Sequence, residues 1–218
     1  MNGLQSWWDY LSVRGDMLAE TIGETLLYVG SVTGSAGLLA LTVAILTRHR
    51  PFAKELCLAI ASVFLTIPSL ALFTIFIPIL GLGFAPSFVA LFLYAILPIL
   101  RNSVAGLDAV EASVLESAKG MGMTDRQVLL KVQLPLAWPV ILAGVRVSAL
   151  LTVSISAIAT LVAGGGLGDF IKSGLARIPL PNSFEAIWTG VVFSLLLALG
   201  IDLLLRLVAR WTTPRGAR

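Results

Sequence analysis

Charge is scarce in this chain of 218 residues. Only 12% of the residues are Asp, Glu, Lys or Arg, whereas soluble domains carry about 25%. The hydrophobic share is 57% and the mean hydropathy is +0.95. This composition excludes an ordinary soluble domain and favours a protein that crosses the membrane several times.

Cysteine and histidine are nearly absent. The single cysteine, Cys57, excludes a disulfide bond within one chain. The single histidine, His49, has no second histidine or cysteine nearby, so we expect no metal site. The glycine run 164–168 lacks the preceding strand and the following Lys-Ser/Thr of a phosphate-binding loop, so we expect no nucleotide or other cofactor on this chain. Basic residues are not interleaved with aromatic ones, which argues against nucleic acid as a partner.

Long apolar runs dominate what remains. About 20 apolar residues suffice for one helix to cross a bilayer. We predict an all-α, polytopic fold, in which residues 1–218 form a single transmembrane domain with five spans, near 25–47, 56–80, 84–105, 137–162 and 185–209. Residues 1–20 contain Trp7, Trp8 and Tyr10, which favour an interfacial segment. An unstructured tail is the alternative.

The basic residues fall mostly on one side of these spans. Fourteen of the 15 Lys and Arg residues lie outside the spans or near their ends, and Arg146 lies inside the fourth. Three lie on one side, namely Arg14, Lys172 and Arg177, and eleven on the other, namely Arg48, Arg50, Lys54, Arg101, Lys119, Arg126, Lys131, Arg206, Arg210, Arg215 and Arg218. The positive-inside rule therefore predicts an external N-terminus and a cytoplasmic C-terminus.

The segment 106–135 is a charged insert on the predicted cytoplasmic side. Asp108 and Glu111 have the spacing of a capping box and predict a helix over 109–120. Thr124 and Gln127 repeat that spacing and predict a second helix.

That second helix is expected to run to about Gln133 and to stop before Pro135, because the residue before a proline disfavours the helical conformation. The insert also carries more apolar side chains than a solvated loop needs, namely Leu115, Met121, Met123, Val128 and Leu129. A docking surface and an ordinary ordered loop both remain open.

The insert contains the stretch "ESAKGMGMTDRQVLLKVQLP", residues 116–135. It resembles the cytoplasmic loop of the permease subunits of bacterial ATP-binding-cassette (ABC) importers. That loop reads Glu-Ala-Ala, three residues, Gly, nine residues, Ile, one residue, Leu-Pro. The matching positions here are Glu116, Ser117, Ala118, Gly122, Val132, Leu134 and Pro135. Serine and valine replace alanine and isoleucine, and both keep the size and character of the side chain.

The resemblance implies the type I ABC importer permease fold in the bacterial cytoplasmic membrane. It also implies that those seven residues couple the chain to separate cytoplasmic ATPase subunits, which bind the ATP, so that this chain is not an enzyme. A second permease subunit, as homodimer or heterodimer, and an external substrate-binding protein are the other implied partners.

Further segments resemble the osmoprotectant branch of that family, which transports glycine betaine, choline or carnitine. They are "TIPSLALF" (66–73), "LPILRNSVAGL" (97–107), "AKGMGMT" (118–124), "LPLAWPVILAGVRVS" (134–148) and "GGGLGDFI" (164–171). Importers of methionine, sulfonates or amino acids share much of this pattern and remain an alternative. A self-contained channel would not need the coupling loop. An intramembrane enzyme would need paired acids or histidines within its spans.

Prolines 68 and 78 are expected to interrupt the second span. Pro68 cannot donate a backbone hydrogen bond, which frees the carbonyl of Phe64. Such a carbonyl is tolerated in a membrane only where protein or water satisfies it. We therefore predict a pathway gate whose residues are Thr66, Pro68, Ser69, Leu70 and Phe73, with a simple packing kink as the alternative.

Charged side chains are rare within the predicted spans. Arg146 should face the helix bundle, a partner or, by extending its side chain, the cytoplasmic headgroups. Asp202 and Arg206 are four residues apart in the fifth span, which predicts a local ion pair.

The predicted orientation can be tested by cysteine labelling. Single cysteines at Gln5 and Gly216, in a Cys57→Ala background, are treated with an impermeant thiol reagent in intact spheroplasts. We expect labelling at position 5 and not at position 216, because the basic residues hold the second end in the cytoplasm. The reverse pattern would mean that the five-span topology is wrong.

Overall fold

The computed structural model of the protein describes residues 3–212. These residues form ten α-helices and no strand, which confirms the all-α class. The helices are α1 (Gly3–Val13), α2 (Gly15–Thr47), α3 (Pro51–Thr66), α4 (Ser69–Leu80), α5 (Phe84–Asp108), α6 (Ala112–Gly120), α7 (Asp125–Val128), α8 (Leu134–Ala159), α9 (Gly168–Ala176) and α10 (Ser183–Thr212). A π-helical stretch, Leu129–Gln133, joins α7 to α8, and a 3-10 turn, Thr160–Val162, follows α8.

Four helices of the described part are long and apolar enough to cross a membrane. They are α2, α5, the continuous helical stretch Asp125–Val162 and α10. The pair α3 and α4 makes a fifth span if the two helices count as one, and they meet at an angle of 96°. The predicted second span, 56–80, is therefore a sharply bent pair rather than one helix.

Helices α5 and α8 pack closely at the centre of the molecule. A Cβ atom built on Gly144 of α8 would lie 2.6 Å from Asn102 Cβ and 2.8 Å from the carbonyl oxygen of Pro98 on α5. A Cβ atom on Gly106 would lie 2.9 Å from the carbonyl oxygen of Ala137. Glycines at these points let the two backbones approach, as is common between helices in membranes.

Helix α2 lies against this centre along one stripe. Five of its nine buried residues recur every fourth position, which places them on one face of the helix; they are Tyr28, Val32, Ala36, Ala40 and Ala44. The side chains of this stripe become small toward the end of α2, which permits close packing against the core in the half that approaches the predicted cytoplasmic side.

The first helix of the charged insert begins later than the sequence predicted. Helix α5 continues to Asp108, since Val104 and Leu107 still pack into the core. Asp108 contacts Lys54 at 2.6 Å, and Glu111 occupies the N-cap of α6 without a capping hydrogen bond from its side chain. The predicted capping box of Asp108 and Glu111 is therefore wrong.

The second capping box is confirmed, but the end of its helix is not. Thr124 Oγ1 accepts a hydrogen bond from the Gln127 amide at 3.4 Å, and Gln127 Oε1 accepts one from the Thr124 amide at 2.8 Å. The chain then continues helically into α8 instead of stopping before Pro135. The π-helical stretch, in which Leu134 donates to the Leu129 carbonyl, leaves Pro135 in the first turn of α8. A proline is tolerated inside a continuous membrane helix where a local π-helical adjustment satisfies the backbone groups that it frees.

Helix α1 is attached to the bundle. Trp7 Nε1 donates to Thr189 Oγ1 of α10 at 2.9 Å. Tyr10 is buried and packs edge-to-face on Phe170 of α9, with 6.5 Å between ring centres. Residues 3–13 are thus not an unstructured tail. Their position in the headgroup layer stays a prediction, for which the outward side chain of Trp8 provides a suitable anchor.

Candidate functional site

The coupling loop presents the first half of its motif on the surface. Glu116 and Ser117 of α6 are exposed, while Ala118 is buried. The turn after α6 depends on Gly122, whose φ of +83° favours glycine, and whose amide donates to the Lys119 carbonyl at 2.9 Å. Lys119 also pairs with Asp125 at 3.0 Å and so links the two short helices.

The second half of the motif is anchored to the bundle. Val132, Leu134 and Pro135 are half-buried, and Leu134 packs against the main core. Gln133 Nε2 donates to the Leu107 carbonyl of α5 at 3.1 Å. The motif therefore combines an exposed part with a part fixed to α5 and α8.

Only some of the apolar side chains of the insert are available to a partner. Val128 and Leu129 are buried, and Leu115 and Met123 are half-buried. Met121 is 72% exposed, and Val114 and Leu130 join it on the surface. The buried and half-buried side chains hold the insert on the bundle. The exposed ones form the apolar part of its surface.

The break in the second span lies at Ile67 and Pro68. The carbonyl of Phe64 accepts a hydrogen bond from the Ile67 amide at 3.3 Å. The hydroxyl of Thr66 donates to the Val63 carbonyl at 2.7 Å, so it is not the partner of the Phe64 carbonyl. Tyr94 of α5, which sequence reasoning did not connect to this span, donates its hydroxyl hydrogen to the Ile67 carbonyl.

The five residues predicted to form a gate do not share one surface. Thr66, Pro68 and Leu70 are exposed and Ser69 is half-buried. Phe73 is completely buried in the core. Pro78 does not interrupt the span, because α4 continues through it to Leu80. A role for Phe73 in an open pathway would thus require α4 to move.

A glycine-rich loop at the opposite end of the bundle is tied to α2. Glu24 Oε2 accepts a hydrogen bond from the Gly166 amide at 2.6 Å. Thr25 Oγ1 accepts one from the Leu167 amide at 3.0 Å, and the Tyr28 hydroxyl donates to the Gly164 carbonyl. Sequence reasoning did not find these partners, since nothing in the sequence relates residues about 140 positions apart.

Bare glycines are needed in this loop. Gly165 and Gly166 have φ values of +75° and +93°, and a Cβ atom on Gly165 would lie 2.6 Å from Glu24 Oε2. Just beyond the loop, burial raises the pKa of the Asp169 carboxyl, which nearby Lys172 opposes and nearby Glu24 reinforces. The loop is an ordered cap on the predicted external end.

An ion-pair cluster joins α8 to α10. Arg146 Nε donates to Asp202 Oδ1, and Arg206 Nε lies 2.9 Å from Asp202 Oδ2. The local pair of Asp202 and Arg206 is confirmed. Arg146 faces a neighbouring helix, which settles the choice that the sequence left open.

No group of three or more His, Cys, Asp or Glu side chains within residues 3–212 is arranged to hold a metal ion.

Comparison with known proteins identifies the family. Residues 36–214 match the family described as binding-protein-dependent transport system inner membrane component. The chain belongs to this family. It is therefore an inner-membrane permease subunit, and membership implies a substrate-binding protein and an ATPase as partners.

Curated relatives agree with this assignment. The choline transport system permease protein OpuBB of Bacillus subtilis is 41% identical over 158 residues, which is 72% of each chain. The carnitine transport permease protein OpuCB of Listeria monocytogenes is 42% identical over 63% of this permease and 65% of that protein. The osmoprotectant import permease protein OsmW of Salmonella typhimurium is 36% identical over 73% of this permease and 76% of that protein.

Solved structures agree in fold. The MetNI methionine ABC transporter, in inward-facing conformations, contains a chain that matches with a TM-score of 0.79 at 23% identity, over 92% of this permease and 98% of that chain. An amino acid ABC transporter matches with a TM-score of 0.73 at 19% identity, over 96% of this permease and 99% of that chain. The permease thus has the type I ABC importer permease fold that the sequence predicted.

The role of Tyr94 at the break can be tested with Tyr94→Phe, which removes only the hydroxyl. The half-buried Ile67 carbonyl would lose its partner, a loss of about 1–3 kcal/mol. We expect faster amide hydrogen exchange in the peptide that covers 64–74 of the purified permease.

The control is Tyr10→Phe, which removes a hydroxyl on α1 that accepts from Arg14 at 2.7 Å. It should leave exchange in 64–74 unchanged. If Tyr94→Phe also leaves it unchanged, the hydroxyl does not hold the break.

Proposed function

We propose that the permease forms the translocation pathway for a small osmoprotectant such as glycine betaine, choline or carnitine. A separate cytoplasmic ATPase, which binds the ATP, drives transport, and an external binding protein delivers the substrate. The proposed substrate class rests on relatives at 36–42% identity, whose names specify choline, carnitine or osmoprotectant transport. The methionine and amino acid transporters share the fold at only 23% and 19% identity.

The ATPase docks on the exposed part of the coupling loop. Support comes from the exposed Glu116 and Ser117 next to the exposed Met121, a small surface of mixed apolar and charged character. A groove on the ATPase that receives a short helix would fit it. The buried Ala118 and the turn at Gly122 hold this surface in shape, and Val132, Leu134 and Pro135 connect it to the bundle.

Two permease subunits, identical or related, form the pathway together. A single chain offers four or five spans in its described part, and pairing of subunits around a symmetry axis is the usual way to build a larger assembly. The N-terminus is external and the C-terminus cytoplasmic, which the uneven distribution of basic residues supports.

The bent second span supplies the gate. Thr66, Pro68, Ser69, Leu70 and Phe73 surround the 96° bend between α3 and α4, and a break of this kind in a membrane marks a cavity lining or a hinge. In the closed state the Phe73 side chain is packed in the core, so opening must carry α4 away from α5. An apolar constriction that dries when closed excludes small polar solutes.

The coupling loop is tested by uptake of labelled glycine betaine, choline and carnitine into vesicles that contain the complete importer. Gly122→Pro removes the amide that donates to Lys119 and cannot adopt a φ of +83°. Glu116→Lys reverses the charge of the exposed surface. We expect either change to abolish ATP-driven uptake of the transported solute while the amount of permease in the membrane stays normal.

The matched control is Gly120→Ala, since a Cβ atom at Gly120 meets nothing within 4 Å and its φ is not positive. Its uptake should equal that of the wild type. Near wild-type uptake with Gly122→Pro or Glu116→Lys would show that the loop is not needed for ATP-driven uptake. Uptake of none of the three solutes by the wild-type importer would reject the substrate class.

The gate is tested with cysteines placed singly at 66, 69, 70 and 73 in a Cys57→Ala background. A small aqueous thiol reagent is added with and without ATP plus binding protein. We expect labelling at two or more positions to differ between the two conditions. Labelling of Phe73→Cys should require ATP plus binding protein, because that side chain is buried.

Leu72→Cys, in the core beside it at 3% exposure, is the control and should stay protected. Protection of all four positions in every state would mean that Pro68 makes only a packing kink and that the pathway lies on α5 and α8.

A further inference from the structure

The cluster of Arg146, Asp202 and Arg206 has more positive than negative charge. Both guanidinium groups contact the same carboxylate, one from α8 and one from α10. Two cations and one anion leave a net charge of +1 on these three side chains. Arg206 remains 60% exposed and Arg146 37% exposed, so neither guanidinium is enclosed by the chain.

The length of α10 sets the depth of this cluster. Sixteen uncharged residues, 186–201, separate Glu185 from Asp202. At about 1.5 Å per residue they span roughly 24 Å, less than the roughly 30 Å of the hydrocarbon layer. With Glu185 placed at the predicted external edge of that layer, Asp202 lies close to the opposite edge, and Arg206 lies one turn, about 5–6 Å, closer to water.

Two tryptophans mark the headgroup layer at the same end. Trp138 Nε1 donates to Thr212 Oγ1 at 2.9 Å, and Trp211 is 87% exposed. Tryptophan favours the membrane interface. The arginine cluster thus sits immediately inside the layer that contains lipid phosphates, within reach of long arginine side chains.

The exposed face of α10 has the character of a lipid-facing surface. It is lined by leucines, each 48–60% exposed: Leu195, Leu196, Leu199, Leu203, Leu204 and Leu207. The small residues Gly190 and Ala198 turn inward, toward α9 and toward the cluster of α2 and α8. Helix contacts within membranes use small residues, so the leucine face is suited to lipid. Arg206 continues the stripe of Leu195 and Leu199 on that face.

We propose that Arg146 and Arg206, held side by side by Asp202, bind the phosphate of an anionic phospholipid such as phosphatidylglycerol. Guanidinium groups match phosphate oxygens in geometry and remain charged at all physiological pH values. Basic pockets between helices at this depth suit anionic headgroups. A zwitterionic lipid carries a compensating cation and is held less well by the net charge of +1. Asp202 positions the two guanidiniums and limits their repulsion.

The test counts lipids that stay bound to the purified permease in native mass spectrometry, with phosphatidylglycerol and phosphatidylcholine offered in equal amounts. The wild type should retain phosphatidylglycerol preferentially. Arg206→Gln should reduce that retention about fivefold, and Arg206→Lys, which keeps the charge, should restore most of it.

Arg177→Gln is the matched control, since it removes an exposed arginine directly after α9, near the opposite end of the bundle. It should bind as the wild type does. Thermal unfolding of each variant is followed in parallel, and only folded variants are compared. Equal retention by the wild type and Arg206→Gln would overturn the proposal.

Two further outcomes would also overturn the proposal. Displacement of the lipid by inorganic phosphate alone would show that the site binds any anion and is not specific for a phospholipid. Loss of permease pairing in Arg206→Gln, with lipid retention unchanged, would assign the cluster to a contact between subunits.

Discussion

The absence of water from the bilayer core requires each backbone amide and carbonyl to find its partner within the protein. Helices meet this requirement over most of the chain, so the difficult points are those where helices break. At Pro68 the Ile67 amide and the Tyr94 hydroxyl provide the missing partners. At the glycine-rich loop the side chains of Glu24 and Thr25 accept the free amides. Each break is thus held by a neighbouring long helix, and its movement depends on that helix.

The same lack of water makes charge costly, and the permease places its charges accordingly. Arg146 enters the fourth span, where an isolated cation would be expensive. Asp202 on the last helix compensates it and is itself shared with Arg206. This cluster connects α8 to a helix that otherwise exposes much of its length. Most of the remaining charges lie in the coupling loop, in the segment 48–55, near the end of α10 and at the predicted external end, where water can solvate them.

The close contact of α5 with α8 relates the coupling loop to the bent span. The second half of the coupling motif is fixed to both helices, through the core packing of Leu134 and the hydrogen bond from Gln133 to Leu107. The bend at Pro68 rests on α5 through Tyr94. The loop and the bend therefore rest on the same pair of helices, which the glycines at 106 and 144 allow to pack without a gap.

The sequence by itself determined the properties that follow from composition and local spacing. Scarce charge and long apolar runs specified a helical membrane protein, the Thr124 capping box specified the start of α7, and the motif from Glu116 to Pro135 specified the family. The tertiary structure decided what depends on distant partners. It extended α5 past the expected cap at Asp108, because burial of Leu107 outweighs a local capping preference. It joined Arg146 to Asp202, 56 residues away, because no local pattern records which helix faces become neighbours.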